Sequence, residues 1–250
     1  NRTMLYIIGN GPSRLDFDME KLHAYGCEWW GCNGIYRDYT PDLLFVHDIP
    51  MQHQAVVDGC LEKGRVAVGD WNPMEIELYE DLKFMHSTMP VKIIENRSED
   101  DTHFVLQGEG DEVYFTAYPV GANENIIMYN FPKLKNTFCG ISALGYAAYN
   151  GYKEITLVGF DALDPDIDSV SNVYEGTELY KTKYNKDDTV NYIQKMQFVS
   201  LLEDELFEEV DVYFRNPLDK CNKVIYNELT YFENSKDRWS LGESSLFDFR

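Results

Sequence analysis

The sequence predicts an α/β protein with a Rossmann-like, mostly parallel sheet flanked by helices. Three observations carry this. Short apolar runs at 5–8, 42–46 and 155–159 lack polar alternation, as strands buried on both faces do. They alternate with helix-like segments, the rhythm of right-handed βαβ units. And the early strands stop at polar residues: Asn10, Asn33, and His47 with Asp48. In open α/β sheets ligands lie beyond the carboxyl ends of the strands, so these positions are candidate site residues.

The first strand, Leu5-Tyr6-Ile7-Ile8, runs into Gly9-Asn10-Gly11-Pro12-Ser13. Two glycines let the backbone come close to a ligand, and the turn towards a helix offers N–H groups and the Ser13 hydroxyl to an anion. An amphipathic helix is expected over 16–25, closed by Gly26, and a second strand over 28–32. A helix over 50–63 and a strand over 65–68 follow the third strand. The stretch 70–136 reads as an insertion, with a strand at 92–95 and a β-hairpin at 103–107 and 112–118 around Gly108-Glu109-Gly110-Asp111. The small residues of 138–148 predict a helix lying close to the sheet, with Cys139 and Gly140 at its N-terminus.

The strand 155–159 ends at Phe160-Asp161, where Asp161 either meets substrate or caps its own loop. The polar segment 162–188 is too long for a simple connection and reads as a lid. Val190, Ile193, Met196, Val199, Leu202, Leu206 and Val210 recur at helical spacing and predict one long helix with these residues facing the core. A last strand is expected at 212–214. One α/β domain over 1–227 is therefore expected, with an aromatic, acidic tail over 228–250 that packs on the body or on a second copy in a homo-oligomer.

The formal charge of −21 over 250 residues argues against a general grip on a nucleic-acid backbone, which needs a basic face. Five widely spaced cysteines without a CxxC pair argue against a disulfide framework or zinc site. With no secretory pattern and no apolar run near membrane-spanning length, a soluble cytoplasmic protein is expected, Asn1-Arg2-Thr3 reading as an addition ahead of Met4.

A nicotinamide or flavin site fits poorly. The turn lacks the third glycine of the dinucleotide fingerprint, and the second strand ends in Asn33 instead of an acid. There is no Walker A loop. Asp164-Pro165-Asp166-Ile167-Asp168 lacks the spacing and glycine of a calcium loop and reads as a solvated acidic turn.

The motifs Ile7-Ile8-Gly9-Asn10-Gly11-Pro12-Ser13, Cys32-Asn33, Cys139-Gly140 and Gly151-Tyr152-Lys153-Glu154-Ile155 with Gly159-Phe160-Asp161 occur in that order. In this the chain resembles the bacterial sialyltransferases of glycosyltransferase family 42, over about 4–48 and 137–216. The Gly-Asn-Gly-Pro-Ser loop is shared with the archaeal-type 6-hydroxymethylpterin pyrophosphokinase-like proteins. The resemblance implies a nucleotide-sugar at the strand ends and no structural need for metal. It sets Gly9, Asn10, Gly11 and Ser13 against the donor phosphate and sugar, and Asn33 against ribose or base. Cys139, where the family has serine, and Gly140 would offer backbone contacts, and lid tyrosines (Tyr174, Tyr180, Tyr184) would assist the leaving phosphate.

The chain also departs from that pattern in its lid: no histidine follows His103, so the family's lid base is missing. Asp48 or His47 is then the expected base for an acceptor hydroxyl. The expectation is a metal-independent glycosyltransferase moving a sugar from a nucleotide-sugar to a hydroxyl acceptor, a modified nucleobase among the acceptors left open. Two alternatives use the same loop: an ATP- and Mg²⁺-dependent pyrophosphokinase-like phosphoryl transferase, and a non-catalytic nucleotide-binding or interaction protein.

Overall fold

The computed structural model describes the chain except residues 1–3, 25, 49–50, 53, 56–57, 69–71, 75–90, 96–103, 109–114, 120–124, 129–137, 164–170, 181–187, 215–221 and 224–250. Its elements begin with β1 (Met4–Ile8), a 3₁₀ turn (Pro12–Asp16), α1 (Met19–Ala24), β2 (Glu28–Cys32) and a second 3₁₀ turn (Asn33–Arg37). Next come β3 (Leu43–Val46), α2 (Cys60–Lys63), β4 (Arg65–Val68), β5 (Asn72–Met74), β6 (Val91–Glu95), β7 (Phe104–Gly108), β8 (Phe115–Pro119) and β9 (Ile126–Met128). The chain continues through α3 (Cys139–Tyr149), β10 (Glu154–Val158), α4 (Asp188–Leu202), a 3₁₀ turn (Glu205–Phe207), β11 (Asp211–Phe214) and β12 (Asn222–Lys223). The chain divides into two compact units, Asn1–Trp29 with Gly140–Arg250, and Trp30–Cys139, the division falling within β2.

In the first unit the strand order is β12-β11-β10-β1. β10 pairs in parallel with β1, from Met4 opposite Glu154 to Ile8 opposite Val158, and with β11 on its other side. β12 closes the edge antiparallel to β11. Leu5, Ile7, Ile8, Ile155, Leu157 and Val212 are all buried, as the unbroken apolar runs require. In α3 the small residues Ser142, Ala143 and Ala147 are fully buried, matching the expected close-packed helix.

The second unit carries the parallel order β2-β3-β4-β9, with Leu43, Leu44, Phe45 and Val46 buried to 2 % exposure or less. It also carries a separate sheet, β5-β8-β7-β6. There β6, β7 and β8 run antiparallel in turn, which contains the expected hairpin, and β5 adds in parallel to β8. One strand of the expected insertion belongs elsewhere: β9 pairs in parallel with β4. Its three residues, Ile126-Ile127-Met128, are too short for a periodic signal.

Two helix expectations need correction. The helix expected over 50–63 is interrupted at Gly59, whose φ of 78° is left-handed and opens α2 as a new element. The long helix expected over 190–210 stops at Leu202. The Asp204 carboxylate accepts the Leu206 N–H at 3.2 Å and starts a 3₁₀ turn, the local side-chain competition that ends helices. Leu206 is exposed beyond the break while Phe207 and Val210 are buried, and Met196, expected in the core, is exposed within α4, where Lys195 and Phe198 are buried instead. The tail 228–250 lies outside the described residues. Among the described residues no helix is long and apolar enough to cross a membrane, and Cys27, Cys32, Cys60 and Cys139 are free thiols.

The tightest backbone approach lies at the ends of β1 and β10. A Cβ added at Gly9 would stand 2.6 Å from the Gly159 carbonyl oxygen, and one at Gly159 would stand 2.8 Å from the Gly9 oxygen. Both obstacles are backbone atoms and cannot swing away. Gly9→Ala is therefore expected to destabilise the protein by roughly 2–3 kcal/mol, against less than about 0.5 kcal/mol for the exposed Leu15→Ala, read as urea midpoints at constant m.

Candidate active site

The loop after β1 is built from the first unit's own backbone. The Gly9 N–H donates to the Val158 carbonyl at 2.7 Å, and the Gly11 N–H to the Gly159 carbonyl at 2.8 Å. The Ser13 N–H donates to Asp161 Oδ2 at 3.0 Å, and the Ser13 hydroxyl donates to Oδ1 of the same carboxylate. The Arg14 N–H returns to the Gly11 carbonyl at 3.0 Å. The donors that the sequence offers to an anion at Gly9, Gly11 and Ser13 are thus used inside the protein. The glycines have the same explanation, since a Cβ at Gly11 would lie 2.5 Å from Asp161 Oδ1. Gly140, at the start of α3, is pressed against the Phe160 ring, 2.7 Å from its Cζ on the same test.

Asp161 is 5 % exposed. A carboxylate so placed must be hydrogen-bonded, and Ser13 supplies two donors. Of the two roles expected for Asp161, these contacts describe the one that holds the loop.

Arg14 is the residue sequence reading missed. It is 4 % exposed, one residue beyond the Gly-Asn-Gly-Pro-Ser motif. Its Nη1 donates to Asn10 Oδ1 at 2.7 Å and its Nη2 to the Tyr174 hydroxyl at 3.2 Å, with the guanidinium carbon 5.2 Å from the Tyr174 ring centre. Tyr174 stacks at a tilt on Tyr180, centroids 5.6 Å apart. The Val173 N–H donates to the Asn10 carbonyl at 2.9 Å. The expected lid is therefore seated on the Asn10–Arg14 loop through Val173 and Tyr174, with Tyr174 and Tyr180 buried. The only advance signal was a basic residue four places after Asn10. Tyr184 lies outside the described residues.

In the second unit, Asn33 follows β2 with a left-handed φ of 47°, a conformation asparagine tolerates. Its Oδ1 accepts the His47 backbone N–H at 3.2 Å, bringing together the ends of β2 and β3. His47 is half-buried and Asp48 exposed. Gln52 fixes that turn, donating to the carbonyls of Val46 at 2.9 Å and His47 at 3.1 Å. Cys139 is buried, its Sγ donating to the Phe45 carbonyl at 3.1 Å. Burial, then the neighbouring Cys32 thiol and the Asp48 charge, push the Cys139 thiol well above its ordinary pKa. It stays protonated and is no nucleophile. A shallow, open recess lined by Tyr36, Tyr39, Leu44, Cys60 and Arg65 lies at the opposite, amino ends of β3 and β4. Burial pushes the Cys60 thiol there up to about 12.

No protein-family model matches the chain, and no curated protein matches it. Among solved structures, it is similar to the sialyltransferase CstII from Campylobacter jejuni in complex with a substrate analogue, CMP-3FNeuAc. That alignment has 15 % identity, covers 93 % of this chain and 98 % of the other, and has a TM-score of 0.38. A tyrosine-to-phenylalanine variant of sialyltransferase Cst-II in complex with CMP aligns with the same identity and coverage at a TM-score of 0.44.

Two outcomes follow from the site geometry. Asp161→Asn places an amide against the Ser13 donors and is expected to cost about 1–3 kcal/mol, and Ser13→Ala about 1–2 kcal/mol. The double variant should fall short of their sum by at least about 0.5 kcal/mol in urea titrations, because the two share one contact. In native protein at pH 8, the raised pKa leaves Cys60 almost wholly in its thiol form. Peptide mass spectrometry after brief iodoacetamide treatment should find Cys60 and Cys139 unmodified, and modified once the chain is unfolded in urea.

Proposed function

We propose that the chain is a glycosyltransferase that moves a sugar from a nucleotide-sugar to a hydroxyl acceptor without a metal ion. The observation that carries this reading is the character of the strand ends. The Gly9–Ser13 turn closes on its own protein, so a ligand there is met by side-chain polar groups, with Asn10 foremost. Asn33, after β2, is likewise held through its oxygen by a backbone N–H. Asn33, held by its oxygen, offers amide N–H donors, which suit phosphoryl, ribose and sugar oxygens without a buried countercharge. The sequence resemblance supplies the reaction class.

On this reading Asn10 meets the donor, with Ser13 and Asp161 holding its loop in place, and Asn33 meets ribose or base. The first-turn N–H groups of α3, from Cys139 and Gly140, are further backbone donors, since helices leave these without intrahelical partners. Asp48 or His47 takes the proton of the attacking hydroxyl as the sugar–phosphate bond breaks, and the nucleotide leaves with the electron pair of that bond.

The test is a thermal-shift panel of CMP, CDP, UDP, GDP and ATP, each with EDTA and with Mg²⁺. One nucleoside mono- or diphosphate should raise Tm in EDTA by about 5–10 °C at a hundredfold excess over Kd. Donor turnover should then fall about 10²–10⁴-fold in either Asp48→Asn or His47→Gln, which names the base. A shift confined to ATP with Mg²⁺ would replace the proposal with a phosphoryl transferase, and silence across the panel would leave a binding protein without this chemistry.

A further inference from the structure

We propose that Cys139 is a positioning residue whose sulfur clamps the turn after β2 and so sets Asn33 to meet ligand with its amide nitrogen. The inference rests on the ligand contact given to Asn33 above, and it deepens that reading by naming what holds Asn33 in place.

A thiol has one proton to donate and a sulfur that accepts weakly. The Cys139 proton goes to the Phe45 carbonyl, 3.1 Å away on β3. Toward the Asn33 backbone N–H the same sulfur is therefore the acceptor. One atom thus ties the residue after β2 to the penultimate residue of β3, all within the second unit. Cys139 and the neighbouring Cys32 are both buried, so water does not compete for these weak bonds.

Asn33 needs such a hold. Its φ of 47° lies in the left-handed region, which asparagine tolerates but does not favour over the ordinary helical and extended regions. Two contacts keep it there: its own N–H on the Cys139 sulfur, and its Oδ1 accepting the His47 N–H at 3.2 Å. The second contact also fixes which end of the carboxamide is which, because a backbone N–H can only donate. The oxygen faces His47, and the nitrogen is the end that a phosphoryl, ribose or sugar oxygen can take. Gln52 secures the far side of this circuit, donating to the carbonyls of Val46 and His47. Without the sulfur, the Asn33 backbone loses its bond and relaxes toward the right-handed region, swinging the carboxamide with it.

Cys139→Ala removes both bonds and little volume, and Cys139→Ser keeps a donor and an acceptor at the position. The first readout needs no ligand: the Nδ2 pair of Asn33 in an ¹⁵N spectrum, identified by its loss in Asn33→Asp. In Cys139→Ala the pair should shift while backbone signals of β4 stay in place. An unmoved pair overturns the proposal. The second readout is affinity for CMP, or for UDP or GDP if one of these stabilises the wild type better. Cys139→Ala should weaken binding about fivefold, the worth of one hydrogen bond, and Cys139→Ser should recover at least about half of that loss. Retained affinity in Cys139→Ala overturns the proposal. So does Cys139→Ser no better than Cys139→Ala, since packing alone would then account for the loss. The third readout separates positioning from general support. In an Asn33→Ala background, adding Cys139→Ala should weaken binding by less than about twofold more, because Cys139 acts through Asn33. Losses that multiply as independent effects overturn the proposal. Cys139→Val, which fills the space without either bond, replaces Cys139→Ala in all three readouts should the smaller side chain fail to fold. If the wild type binds no nucleotide, the donor-site reading falls, and the Asn33 resonances alone decide whether Cys139 sets the amide.

Discussion

The site end of the first unit depends on one crossing, where the backbone leaving β1 meets the backbone leaving β10. Gly9 and Gly159 face each other so closely that a methyl group on either would overlap a carbonyl of the other. Two hydrogen bonds, from the Gly9 and Gly11 N–H groups to Val158 and Gly159, bind the strands past their last paired residues. Gly159 takes a left-handed φ of 73° there, at little cost to a residue without Cβ. The crossing aims the chain after β10 so that Asp161 arrives under Ser13, and it aims the chain after β1 so that Arg14 turns inward.

Two buried charges at one strand crossing would ordinarily be a liability. Taking a carboxylate or guanidinium out of water costs several kcal/mol unless hydrogen bonds replace the lost hydration. Here the Asp161 carboxylate receives the N–H and hydroxyl of Ser13, and the guanidinium of Arg14 reaches the Asn10 and Tyr174 oxygens together with an aromatic face. Each charge is satisfied by elements far apart in sequence: Asp161 lies 148 residues from Ser13, and Tyr174 lies 160 residues from Arg14. These contacts form only once β1 and β10 have paired, so the geometry of the loop is a product of the fold and not of the loop's own sequence.

That separation explains what could be read in advance. The strands were legible because unbroken apolar runs such as 43–46 and 155–158 have few other uses. The small residues of α3 were legible for the same reason. The glycines were read as letting the backbone come close to a ligand, but a sequence cannot say what approaches. At Gly9 and Gly11 it is the chain after β10, where an anion had been expected. Arg14 was invisible because a lone arginine after a turn looks like a solvated side chain until Tyr174 is brought to it. The end of α4 was missed because Val199, Leu202, Leu206 and Val210 keep a helical period across a break that Asp204 makes with a single hydrogen bond. The three-residue β9 had no pattern to read.

The charge of the whole chain sharpens the chemistry at Asn10. A protein of net charge −21 does not draw anions from a distance. At physiological ionic strength that repulsion fades beyond about 8 Å, so recognition of a phosphate-bearing ligand has to be won by short, directional contacts. A surface lysine would supply attraction without direction. At Asn10 the cation is instead turned inward, its guanidinium held by the Asn10 oxygen and by the hydroxyl and ring of Tyr174, so this strongly acidic protein keeps the arginine charge of the loop away from solvent.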